Sequence, residues 1–132
     1  MTENNKLISN GGSMDNVVIN KIVFDRDLTN DEINSIKKNC FVNNEFCLSK
    51  AIRSHVMNYK WGNSFDTELS GNVLCFKTLE MEPRDLAICK LFDRLKEIVS
   101  IDALYRVEYY DNTIDSYKCI NGKLKLCDTN IF

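Results

Sequence analysis

The stretch VVINKIVFDRDLTNDEINSIKKNC, residues 17–40, decides how this chain folds. Its first eight residues, VVINKIVF, are β-branched and almost continuously apolar, so they predict a buried strand with apolar side chains on both faces. A short acidic segment follows, and then a helix start. Thr29 and Glu32 have the spacing of a capping box, in which each side chain satisfies the other's backbone N–H, and Leu28 is placed to staple onto Ile33. Ile33, Ile36 and Cys40 fall on one helical face. Asp31 and Glu32 in the first turn and Lys37 and Lys38 in the last complement the helix dipole. A buried strand feeding an amphipathic helix predicts a sheet with a helix packed on it.

Working outward, residues 41–61 carry mixed signals. Phe46 and Leu48 suggest a short strand near 45–49, and Ala51, Ile52, His55, Val56 and Tyr59 suggest a helical turn or short helix after it. NVLCFKTL, 72–79, reads as a strand launched by Ser70 and Gly71, and Pro83 suits the first position of a helix, where its missing N–H is no loss. Over 83–99, Ile88, Leu91, Phe92, Leu95 and Val99 form an apolar stripe, with Lys90, Asp93, Arg94 and Glu97 on the wet side. LYRVEYY alternates, with Tyr105, Val107 and Tyr109 on one face and Arg106, Glu108 and Tyr110 on the other. A turn near Asp111–Asn112, a strand TIDSYKCI, the type I′ signal Asn121–Gly122 and a closing KLKLC predict a three-strand antiparallel meander. The expected fold is α+β: a two-layer sandwich, ferredoxin-like, with an antiparallel or mixed sheet, two main helices on one face and a C-terminal β-meander. Residues 1–16 read as a flexible lead, with Gly11–Met14 as a candidate engineered junction, and residues 17–132 as one domain.

The chain's 132 residues are enough to bury a core without staples. The formal net charge is -2, from 17 Lys+Arg against 19 Asp+Glu, which lacks the basic surplus of most duplex binders. No apolar run reaches the length of a membrane span, and MTENNKLISN has no apolar core of a secretory signal. The expected location is therefore the cytoplasm. There the six cysteines, several of them in apolar surroundings such as VLCF and AICKLF, are expected to be reduced, buried thiols rather than disulfides.

The search for chemistry yields little. The single histidine, His55, has no nucleophile elbow near it in sequence, and no C-x-x-C, H-E-x-x-H or Walker motif occurs. No catalytic residue, metal ligand or cofactor site is expected. Asp25, Asp27 and Asp31 read as a solvated turn and a helix start. Tyr105, Tyr109, Tyr110 and Tyr117 on neighbouring strands, near Arg106, Lys118, Lys123 and Lys125, leave two readings open. The rings pack under the helices or cover the sheet, or they stack single-stranded bases.

The segment Trp61-Gly62-Asn63-Ser64-Phe65-Asp66, followed by Phe76-Lys77-Thr78 and then Pro83, resembles the YubB ferredoxin-like domain family of phages, plasmids and other mobile elements. That family shows Trp-Gly-x-x-Trp-Asp and then a strand ending in Phe-x-Thr-x-Trp-x-Pro-Pro. Here Phe65, Glu80 and Glu82 stand where the family has Trp, Trp and Pro. The resemblance implies a fold more than an activity, and the motif residues read as architecture. Together these features suggest a non-catalytic binding protein, encoded by a phage or mobile element, that occludes a surface of a host protein, for instance as an inhibitor of a defence system such as CRISPR. The alternative is a single-stranded nucleic-acid-binding module using the tyrosine-bearing sheet. Partner-contacting candidates are Trp61, Asp66, Glu80, Arg106, Tyr110, Tyr117 and Lys118.

Overall fold

A computed structural model describes residues 17–53, 64–79 and 84–128. The expectations placed on residues 1–16, on His55, Trp61 and Gly62, and on Glu80 and Pro83 lie outside the described residues.

The strand at the head of the deciding stretch is β1, Val17–Phe24. Helix α1, Asn30–Cys40, starts on the capping box read from the sequence. The Thr29 N–H donates to Glu32 Oε1 at 2.8 Å and the Glu32 N–H donates to Thr29 Oγ1 at 3.2 Å. Two two-residue strands follow, β2 at Phe41–Val42 and β3 at Glu45–Phe46, joined through Asn43 and Asn44, both at positive φ. Asparagine is among the few residues that tolerate this region, because its short side chain bonds locally. The helix expected after 49 begins earlier, as α2, Leu48–Ile52. Then come β4, Phe65–Ser70, and β5, Val73–Leu79. Helix α3 is Arg84–Val99, and β6, Ala103–Glu108, β7, Ile114–Ile120, and β8, Lys123–Cys127, complete the chain. The fold is thus α+β, with α2 a third, short helix beside the two expected.

The six long strands form one antiparallel sheet in the order β4-β5-β1-β6-β7-β8. The expected meander is β6-β7-β8, and Asn121 and Gly122 both take the positive φ that its tight turn requires. Strand β4 was not read from the sequence. FDTELS is polar and exposed over most of its length, as suits an edge strand, and a register shift between Phe65 and Glu68 breaks its alternation.

Registration assigns side chains to faces, since alternate residues of a strand point to opposite sides. Val18, Asn20, Ile22 and Phe24 of β1 share a face with Leu74, Phe76 and Thr78 of β5 and with Tyr105 and Val107 of β6. The apolar members of this set are buried with Ile36, Cys40, Leu48, Ala51, Ile88, Leu91, Leu95 and Val99 in one cluster, so all three helices lie against that face. Phe46 and Phe76 stack within it at 4.3 Å between centroids. Inside it sits a polar cluster. The Tyr105 hydroxyl donates to Asn20 Oδ1 at 2.5 Å, and Asn20 Nδ2 donates to Thr78 Oγ1 at 2.9 Å and to the Phe76 carbonyl at 3.3 Å. An asparagine can be carried in a buried strand only when its amide is satisfied in this way.

Two expectations are corrected here. Arg94 is not on the wet side of α3. Its side chain is only 12% exposed, and it donates to Asn39 Oδ1 of α1 at 3.0 Å, because the seam between α1 and α3 reaches past the apolar stripe. The cysteines are not all reduced. Cys89 of α3 and Cys119 of β7 form a disulfide, while Cys40, Cys47, Cys75 and Cys127 are free. The reading from local neighbours and compartment missed the bond because proximity across 30 residues is a tertiary fact. By loop-closure entropy alone, a crosslink of this span contributes roughly 3–4 kcal/mol.

Candidate functional site

No described helix contributes to the opposite face of the sheet. It carries Ile19, Lys21 and Val23 of β1, Cys75 and Lys77 of β5, Leu104, Arg106 and Glu108 of β6, and Ser116 and Lys118 of β7. Its ion pairs tie neighbouring strands. Lys21 Nζ meets Glu108 at 2.6 Å, and Lys77 Nζ donates to Asp66 at 3.1 Å. The β6–β8 portion is richer in cations. Arg106 Nε donates to Ser116 Oγ at 3.1 Å, and Lys118 is registered directly opposite Lys125. Like charges facing each other across a ladder are unfavourable; Ile120 lies next to the pair on the same face, and Ile114 lies further along β7 opposite Glu108. Ile114 is 46% exposed and Ile120 47%.

The structure sorts the candidate residues as follows. Arg106 and Lys118 come together on this face, on adjacent strands. Asp66 lies on edge strand β4, three strands from Arg106 and four from Lys118, about 14 and 19 Å at the usual strand spacing. It occupies the irregular position with φ 51° and holds Lys77. Tyr110 sits in the β6–β7 turn, 68% exposed. Tyr117 does not cover the same face as Lys118. It is registered with buried Tyr105 on the helix side and stacks on that ring at 6.0 Å. The cause is strict alternation, which puts residues 117 and 118 on opposite faces. Trp61 and Glu80 lie outside the described residues. Of the other residues in the Trp-Gly stretch and its sequel, Phe76 is fully buried and Thr78 is held by Asn20, which is an architectural role.

A cleft of about 400 Å³ opens where the end of α3 meets β6 and the β7–β8 turn. Phe92, Leu95 and Ile101 form apolar wall, Lys96 and Asp102 are polar, and the Cys89–Cys119 disulfide lines it. Two free thiols are held protonated. Burial pushes Cys40 up to about 11 and also raises Cys75. Neither is a thiolate nucleophile at neutral pH. Among the described residues, no group of three His, Cys, Asp or Glu is arranged to hold a metal ion, and no helix is long and apolar enough to cross a membrane.

Residues that the sequence reading passed over are Ile114 and Ile120 on the patch and the Asn20–Thr78–Tyr105 cluster beneath the helices. Asn20 was a readable signal, being one of two polar residues in an otherwise apolar strand. No protein-family model, no curated protein and no solved structure matches the chain.

Proposed function

We propose that this protein is a small non-catalytic binding domain that covers a surface of a larger protein with the β6–β8 part of its sheet. The observation that carries the reading is the patch itself. Arg106, Lys118 and Lys125 stand beside exposed Ile114 and Ile120 on the face to which no described helix contributes. Arginine beside exposed apolar side chains is the composition of a contact surface, and opposed lysines are relieved by an acidic partner. An interface of ordinary size takes about 800 Å² from each side, which a sheet of six strands can supply.

The finer fold reading supports the same proposal. The ferredoxin-like reading is supported by the strand order β4-β5-β1-β6, with α1 between β1 and β4 and α3 between β5 and β6 in sequence and β7 and β8 added at one edge. The placement of the described helices on one face supports the two-layer reading. The resemblance to the YubB domain then favours a phage or mobile-element origin, a cytoplasmic site of action and a host protein, for example a component of a defence system, as the target. The nucleic-acid alternative is disfavoured, because Tyr117 is turned away from the cations that would hold the phosphates.

The test is comparative capture from a host lysate with the wild-type chain and with Lys118→Glu/Lys125→Glu, both verified as folded by circular dichroism. A host protein retained by the wild type and lost by the variant supports the proposal. Equal retention by both, or recovery of nucleic acid alone, overturns it.

A further inference from the structure

We propose that the Cys89–Cys119 bond is a reversible thiol–disulfide site whose reduction by a dithiol frees the β7–β8 hairpin from α3. Three observations carry this. First, the bond joins α3, which packs on β7 and β8, to a strand next to the sheet edge. Second, that hairpin is less deeply buried than the central strands, with Tyr117, Cys119 and Leu124 only partly buried against the core. Only Ser116 is buried among the seven residues of β7, and none is among the five of β8, whereas β1 buries five of its eight. Segments with few buried apolar contacts open at the low end of a protein's stability range, so a covalent tie there governs whether the segment stays docked. Third, both cysteines are among the residues that line the cleft of about 400 Å³.

The other cysteines fit a reversible role. Cys40, Cys47, Cys75 and Cys127 remain thiols beside the bonded pair. A single bond among free thiols is unlike the dense bridging of secreted domains and resembles the occasional disulfides of reducing compartments, which are usually redox-sensing or catalytic. Burial raises the Cys40 and Cys75 thiols, which lowers the share of attacking thiolate at those two positions.

The step balances as ordinary exchange. One thiolate of the dithiol attacks a sulfur of the pair, forming a mixed disulfide and releasing the other cysteine as thiolate. The second thiol of the reductant then attacks the mixed disulfide. Two electrons pass to the cysteine pair, the reductant becomes a disulfide, and its two protons end on Cys89 and Cys119.

The site is tested on the full chain in buffers of reduced and oxidised dithiothreitol, without denaturant. Free thiols are trapped with N-ethylmaleimide and read by intact mass and peptide mapping, and hydrogen exchange is followed over 114–127. The expected result is one reversible two-electron transition confined to Cys89 and Cys119. Amide exchange in β7 and β8 rises tenfold or more on reduction, while β1 and β5 are unchanged. Cys119→Ser is expected to show the same fast exchange under oxidising conditions; chemically reduced wild type gives the reading if that variant does not fold. A bond that resists reduction until the protein is denatured overturns the proposal. So does a reduced form whose hairpin exchanges as slowly as the oxidised one, or that unfolds globally. Binding of a partner is not needed for any of these readings, so failure here leaves the binding proposal to its own test.

Discussion

Removing the hydroxyl of Tyr105 tests whether the buried polar cluster is a unit. Among the described residues the cluster has two side-chain bonds, Tyr105 to Asn20 Oδ1 and Asn20 Nδ2 to Thr78 Oγ1, and all three residues are at most 1% exposed. No water replaces a bond lost at such a site, so an orphaned polar atom there costs about 1–3 kcal/mol. Tyr105→Phe withdraws the donor from Asn20 Oδ1. Thr78→Val withdraws the acceptor from Asn20 Nδ2, which keeps only the longer bond to the Phe76 carbonyl. Each single variant is expected to lose about 1–3 kcal/mol. The triple variant Asn20→Leu/Thr78→Val/Tyr105→Phe removes both ends of each of these two bonds and keeps the shapes close, so neither leaves an orphan. Its loss is expected to be no larger than that of the worse single variant, well short of the roughly 2–6 kcal/mol sum of the two. Urea unfolding followed by circular dichroism reads this directly, with an unchanged m-value required for the comparison. A triple variant as destabilised as the sum of the single losses would falsify the orphan argument, because the cost would then come from packing.

Two other outcomes follow from the same physics. The Arg26 guanidinium, bonded to both oxygens of Glu32 at 2.9 and 2.8 Å, together with the Thr29 N–H, lowers the Glu32 carboxyl to about 2. A depressed carboxyl stabilises the fold above its unfolded value of about 4.3 and loses that contribution as the pH falls towards 2. Glu32→Gln is therefore expected to melt below wild type at pH 6, with the gap closing between pH 4.3 and 2 in a thermal series; a gap of constant size across that range contradicts the assignment. Gly122→Ala places a Cβ in open space but at φ +78°, so its cost is the left-handed backbone alone, about 1–2 kcal/mol, read in the same urea assay. No loss there contradicts the type I′ reading of the turn.

The parts of this fold that were legible are those specified by local chemistry. Thr29 and Glu32 mark the start of α1 because a capping box involves only a four-residue span. The stripe of α3 and the Asn121–Gly122 turn were visible for the same reason. Strand β4 was not, since an exposed edge with a register irregularity carries little apolar alternation. Leu48 was read as strand because residues 45–52 hold two elements too short for either period to declare itself. Of the candidate contact residues, Arg106 and Lys118 were brought together and Tyr117 was set apart, an outcome that follows from parity only after the register is known.

By itself the sequence determined where the main helices and the closing meander run, because caps, stripes and tight turns are set by residues a few positions apart. Only the tertiary structure decided that Cys89 and Cys119 are bonded, that Arg94 lies in a helix seam, and that the cations of β6 to β8 share a face without the tyrosines. Each of these depends on strand order and register across tens of residues, which periodicity within one element does not specify.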